Sequence, residues 1–321
     1  MLHSGLLVCS FFIKKRYERG DSKAIELNKA LEVETIDHTE SFSSAWDLFT
    51  RFLNENVNPK DDENSMKLFS INQDSIKKHN TQQYHAITFI VSSGSYGIES
   101  KITNRRTNEV KYHRTRDDAD IKQFYGMIFI PKDIDDINVQ KGIFIFQSIG
   151  TYGIKTITTK QMKEFFATLG LTLETRSVSV GIFLRKIFEE GKLSKITLLR
   201  NDISPDPADN MLISTGREEK VYVRPKLKGS WIQKLLSYVD GNKDEKIFEV
   251  NDDIYEDIYI SFNLSGRTKT AKLKDIDRFS LTEDIPDAIF NNGNVNDERL
   301  VNYLIETAKT YKEKMVFRIA E

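Results

Sequence analysis

A chain of 321 residues, 39% hydrophobic and 30% charged, has the composition of a soluble globular protein and the length for one large core or two smaller ones. With 47 Lys and Arg against 48 Asp and Glu, the formal net charge is −1, so bulk charge announces no polyanionic partner and only local segregation of cations can. The single cysteine, Cys9, excludes an intrachain disulfide and a cysteine-built zinc site, and no stretch approaches the ~20 apolar residues that span a bilayer.

The opening run LLVCSFFI predicts a strand. Its basic residues follow the apolar run, whereas a secretory signal carries them before it, so a cytoplasmic location is expected. SKAIELNKALE suggests a short helix, and SFSSAWDLFTRFLNE a stronger one, with Phe42, Trp46, Phe49 and Leu53 at helical spacing and Phe52 beside them. NVNPKDDENSM reads as a loop. From about residue 67 to 158 short apolar or alternating runs (KLFSI, YHAITFIV, EVKYHRT, GMIFIP, GIFIF) predict strands, and GIFIF, apolar at both parities, predicts one buried on both faces.

The period then changes. TTKQMKEFFATLG predicts a helix with Thr159 as N-cap and Gly170 beyond its end. GIFLRKIFEEG suggests another short helix, SKITLLR a strand, WIQKLLSYV a helix and DIYISFNL an alternating strand. NDERLVNYLIETAKTYKEKM predicts a last helix with Asp297 and Glu298 at its start and Lys312 and Lys314 near its end, the order a helix dipole favours. The expected class is α+β: antiparallel-rich sheets, several short helices and a C-terminal helix, divided into a β-rich lobe over 1–158 and a mixed lobe over 159–321.

One motif occurs twice. FIVSSGSYGIESKIT (89–103) and FIFQSIGTYGIKTIT (144–158) share Gly-[Ser/Thr]-Tyr-Gly-Ile, starting at Gly94 and Gly150. Neither is a phosphate loop: only two residues separate the glycines of each copy, and Ile154 separates Gly153 from Lys155. A dinucleotide fingerprint also fails, because KTIT reads as a strand where a helix is needed. Both copies are expected to be strand–turn–strand.

Catalytic patterns are sparse. His3, His38, His79, His85 and His113 make no metal-ligand spacing. Asp206, followed by Glu218 and Lys220, resembles the acidic pair and lysine of restriction-type nucleases, in which the acids hold a divalent metal and the lysine orients water. The prolines around Asp206 argue for a loop there. Asp117, Asp118 and Asp120 read as a solvated turn. No cofactor or metal is assigned.

The cations are segregated. Lys101, Arg105, Arg106, Lys111, Arg114 and Arg116 stand against one acid, Glu109, on a predicted hairpin that also carries Tyr112 and His113. Lys220, Arg224, Lys226, Lys228 and Lys234 form an acid-free run, and Arg267, Lys269, Lys272 and Lys274 a third. Acids gather elsewhere, in DEKIFEVNDDIYED. Such segments suit phosphates, with backbone contacts, weak sequence preference and steep salt dependence; as solvated edges they would need no partner.

Three stretches carry a resemblance: SFFIKKRYERGDSKAIELNKAL, KGIFIFQSIGTYGIKTITTKQMKEFF and YEDIYISFNLSGRTKTAKLKDIDRF. In their order of strand, turn and helix the chain resembles the RexA-like phage-exclusion (abortive infection) proteins, although residues 35–80 have no counterpart in that pattern. The resemblance implies a homodimeric, DNA-binding antiviral component acting with a separate membrane effector protein, and transfers no catalytic residue. The expectation is a non-enzymatic binder of double-stranded DNA that senses or regulates phage defence. A metal-dependent nuclease and a protein–protein scaffold are the rivals.

Overall fold

The computed structural model describes residues 4–17, 23–34, 39–132, 138–177, 184, 193–201, 217–239, 245–250, 253–264, 267–278, 282–291, 294–313 and 315. The chain forms two compact units, Met1–Arg176 with Ile285–Glu321, and Ser177–Asp284. The expected break at residue 158 falls inside a helix whose apolar face belongs to the first core; the chain leaves the first unit about 18 residues later and returns to it for its C-terminal helix.

In chain order the first unit contains β1 (Ser4–Lys15), β2 (Leu31–Glu34), β3 (Thr39–Phe42), α1 (Ala45–Glu55), β4 (Lys60–Asp62), β5 (Lys67–Asn80) and β6 (Tyr84–Ser95). It continues with β7 (Ser100–Thr103), β8 (Val110–Arg114), β9 (Asp120–Pro131), β10 (Gly142–Ile149), β11 (Tyr152–Gly153), α2 (Lys155–Thr168) and β12 (Leu171–Ser177). The main sheet runs β12-β1-β10-β9-β6-β5-β4, antiparallel from β1 to β4. The α+β class is confirmed.

Alternation places the layers. Phe124, Ile128 and Ile130 of β9 share one core with Phe144 and Phe146 of β10 and with α1 and α2, through Phe49, Phe52, Met162 and Phe166. Phe11 stacks on Phe144 at 4.1 Å and Phe49 meets the same ring edge-on at 5.6 Å. The opposite parity of β9 carries Tyr125, and its hydroxyl donates to Asp297 in the first turn of the C-terminal helix (Asp297–Lys312). That helix buries Leu300, Leu304 and Ala308, so β10 is covered on both faces as its composition predicts. Asn296 caps the helix, its side chain accepting from Arg299 N.

Several expectations fail here: Phe42 lies in β3 and not in α1, and Lys60–Asp62 of the expected loop form β4 against β5. SKAIELNKALE is not a helix: Ile25 N donates to Ile13 O, Leu27 N to Val139 O, and the segment ends in β2, paired with β3. Its backbone donors are taken by neighbouring segments, and tertiary contacts override a helical spacing of apolar residues. Helix α2 starts at Lys155, four residues before Thr159, which is buried inside it; Ile154 and Ile157 extend its core-facing side by one turn. KTIT is thus helical, not strand.

The second unit is a four-stranded antiparallel sheet of β13 (Leu193–Asn201), β14 (Arg217–Val223), β17 (Asp257–Leu264) and β18 (Arg267–Lys272), in the order β14-β13-β17-β18. Helix α3 (Gly229–Val239) and the short pair β15 (Glu249–Val250) and β16 (Asp253–Ile254) lie between β14 and β17 in sequence. Leu235, Leu236 and Val239 of α3 pack on Ile196, Leu198, Ile258, Ile260 and Phe262. GIFLRKIFEEG lies outside the described residues except Leu184, which joins this core.

Candidate nucleic-acid interface

Strands β6 and β9 pair over their whole lengths, from Tyr84↔Pro131 to Ser95↔Asp120. Beyond that seam the chain does not return directly but builds a second, separate two-stranded ribbon, β7–β8. The seam ends tightly: a Cβ on Gly94 would lie 2.1 Å from Asp120 O, so only glycine lets the two backbones approach. Gly97, at φ +89°, turns the chain into the ribbon. The first copy of the repeated motif is therefore the base of an arm. The second is a tight hairpin, with Gly150 at φ +60° and β11 folding back on β10 (Ile149↔Tyr152) directly before α2. Neither makes a phosphate cradle.

The base of the arm is fixed by hydrogen bonds. Gly97 N donates to Arg116 O at 2.7 Å, Arg114 Nε donates to Asp118 O at 2.8 Å, and its Nη2 reaches Ser95 O. The Asp118 carboxylate accepts from Thr115 N, from the Tyr112 hydroxyl and from Thr115 Oγ1, and these bonds hold its pKa below the usual carboxylate range. The far end is equally defined: Asn104 Oδ1 accepts from Arg106 N at 2.9 Å and Thr107 N at 3.2 Å, Asn108 N donates to Asn104 O at 2.8 Å, and Asn108 sits at φ +56°. This turn carries Arg105 and Arg106 at the tip.

The six arm cations do not behave alike. Arg114 is consumed by the base, Arg116 lies 3.5 Å from Glu99, and Lys111 pairs with Glu109 at 2.6 Å. Lys101, Arg105 and Arg106 are exposed and have no ion-pair partner among the described residues. Asp117 and Asp118 lie in the bend before β9, near the expected turn, whereas Asp120 is the first residue of β9, opposite Ser95, and pairs with Lys122.

On the second unit, Arg224, Lys226 and Lys228 follow β14 as an exposed link to α3, with Lys234 exposed on that helix, again without ion-pair partners among the described residues. The third segment differs. Lys272 pairs with Asp257 at 2.9 Å, and Lys274 lies 4.9 Å over the Phe248 ring. For Arg267 and Lys269 the backbone places them on β18, the opposite edge of the sheet from β14. Three strand spacings, about 14 Å, separate the two edges. The strand-borne cations of the second and third segments thus lie at opposite edges, although Lys234 on α3 and Lys274 after β18 sit on elements that contact one another.

The nuclease-like residues have a different fate. Asp206 lies outside the described residues. Glu218 faces Arg200 across β13–β14 and pairs with it at 2.6 Å, while Lys220 reaches Asp253 at 2.6 Å. Arg200 also lies 3.4 Å from Asp253, Lys220 lies 3.9 Å from Glu218, and Tyr255 Oη donates to Asp253 at 3.2 Å. Each carboxylate therefore has two cations within 4 Å. Lys220 holds Asp253 below the usual carboxylate range, and Asp253 and Glu218 raise Lys220 and Arg200 respectively. A divalent ion at Glu218 would have to displace these cations, and no cluster of three metal-ligating side chains occurs among the described residues. Sequence reasoning missed Arg200, Asp253 and Tyr255, because their convergence depends on a strand register and on chain returning from β16.

Other reactive groups are quiet. Cys9 is buried in the first core, and burial pushes its thiol up to about 12. No helix among the described residues is long and apolar enough to cross a membrane. The chain matches no protein-family model, no curated protein and no solved structure.

Proposed function

We propose that this chain is a cytoplasmic DNA-binding protein that holds duplex DNA through its phosphate backbone, in a phage-exclusion role as sensor or regulator. The observation that carries the reading is the β7–β8 arm: a preformed, exposed ribbon whose tip presents Arg105 and Arg106, with Lys101 behind them, free of acidic partners among the described residues. Unpaired cations on a rigid support gain counterion-release free energy from phosphates without first breaking ion pairs. Arg224, Lys226 and Lys228 offer a second set on the other unit. The resemblance to RexA-like proteins agrees with this reading and adds the phage-exclusion setting, the homodimer and the membrane partner.

The test is a gel-shift titration with unrelated duplexes over a salt series, with and without Mg²⁺. Intact DNA should be retarded at low salt, with log K falling against log[salt] at a slope of about 3 for the arm cations alone and about 5 at most with those of the second unit, at ~0.9 each. Absence of binding at 50 mM salt, or Mg²⁺-dependent cleavage, overturns the proposal; cleavage would turn attention to Glu218 and Lys220.

A further inference from the structure

The arm exposes more than charge. Ile102 and Tyr112 are directly opposed across β7–β8 and 56% and 49% exposed, so they form one apolar face of the ribbon. Lys101 and His113, the neighbouring opposed pair, point to the other face. The Tyr112 hydroxyl is hydrogen-bonded to Asp118 at the base of the arm, which orients the ring, and phosphate contacts have no use for that ring or for Ile102 held in water. A two-stranded ribbon is marginal by itself, yet this one is tied at both ends by the Asn104 turn and the Arg114–Asp118 base, so the apolar pair is displayed on a built support.

Duplex DNA offers an apolar surface between two rows of phosphate, and the dimensions choose the groove. Two strands lie about 4.8 Å apart, and their side chains widen the ribbon to roughly 10 Å. The major groove, about 12 Å wide, admits a two-stranded ribbon, whereas the minor groove, about 6 Å wide, does not. On the major-groove floor the exposed apolar group is the thymine C5-methyl. We propose that the β7–β8 arm enters the major groove of duplex DNA with Ile102 and Tyr112 against thymine methyls, while Arg105 and Arg106 at its tip hold the flanking phosphates. The inference rests on the DNA-binding reading above. It adds a groove, a chemical contact and a mild preference for A·T pairs without a defined site.

Fluorescence anisotropy of the full chain on a labelled mixed-sequence duplex tests it, with the same duplex carrying uracil for every thymine as comparison. The uracil duplex should bind about fourfold more weakly for each methyl covered. Methyl green, a major-groove ligand, should displace the protein and netropsin, a minor-groove ligand, should not. Ile102→Ser, at an exposed position that leaves Tm unchanged, should shrink the thymine–uracil difference while retaining salt-sensitive binding. Equal affinity for the two duplexes, or displacement by netropsin alone, overturns the groove assignment. If Arg105→Ala/Arg106→Ala still weakens binding in that case, backbone binding stands and only the groove proposal falls. No binding of either duplex at 50 mM salt removes both.

Discussion

The β7–β8 arm and the Arg200–Glu218–Lys220–Asp253 group are both rich in charge, and they differ in what their charges face. In the second unit every cation of the group has a carboxylate within 4 Å and every carboxylate two cations. On the arm, the tip cations face water. Paired charges fix a local arrangement and leave little field to attract a ligand; unpaired ones on a rigid ribbon keep theirs. Counting Lys and Arg along the chain treats both alike. The difference lies in which acids the fold brings near, and that is decided by strand register.

The harshest way to break the contrast is to remove the arm's support. Gly94→Val places side-chain atoms into Asp120 O and should cost the first unit about 3 kcal/mol or more, read as a large drop in Tm together with lost DNA binding. A cleaner break leaves the fold alone: Arg105→Ala and Arg106→Ala should each weaken duplex binding by about tenfold at 0.1 M salt, with Tm unchanged. The opposite pattern is expected in the second unit. Asp253→Asn leaves Arg200 and Lys220 short of a partner and should lower its thermal midpoint by a few degrees, with DNA affinity unaltered or slightly raised; an affinity loss as large as that of the arginine variants would end the distinction.

The smallest expected effect concerns pH. His79, hydrogen-bonded to Thr88 at 3.2 Å, and His85, packed on Trp46 at 4.7 Å, both have pKa values lowered by burial. The unfolded imidazoles, near 6.5, take up protons first, so first-unit stability should decline as pH falls below about 6.5 and through the lower folded values. His79→Gln/His85→Gln should flatten that decline in thermal melts between pH 7.5 and 5.

Much of the scaffold was legible. The both-parity apolar run GIFIF, the helical spacing of Trp46, Phe49 and Leu53 with Phe52 beside them, though not of Phe42, which lies in β3, and the charge order of Asp297–Lys312 are all legible in local pattern. The hairpin carrying the basic cluster was legible too, since ITNRRTNEV places polar turn residues between two short alternating runs. What failed needed tertiary information. Ile25 and Leu27 give their backbone N–H groups to distant segments, and α2 begins at Lys155, just after Ile154, which is buried in the core. The arm's separation from the main sheet, and the capture of Glu218 and Lys220 by Arg200 and Asp253, depend on pairings that no window of sequence contains.

The most direct test of the central claim is the salt dependence of duplex binding for the wild type against Arg105→Ala/Arg106→Ala. If the tip arginines neutralise phosphates, the double variant's slope of log K against log[salt] should be shallower by about 2, with an unchanged melting curve. An unchanged slope would show that the arm does not touch the backbone, and the functional reading built on it would be wrong.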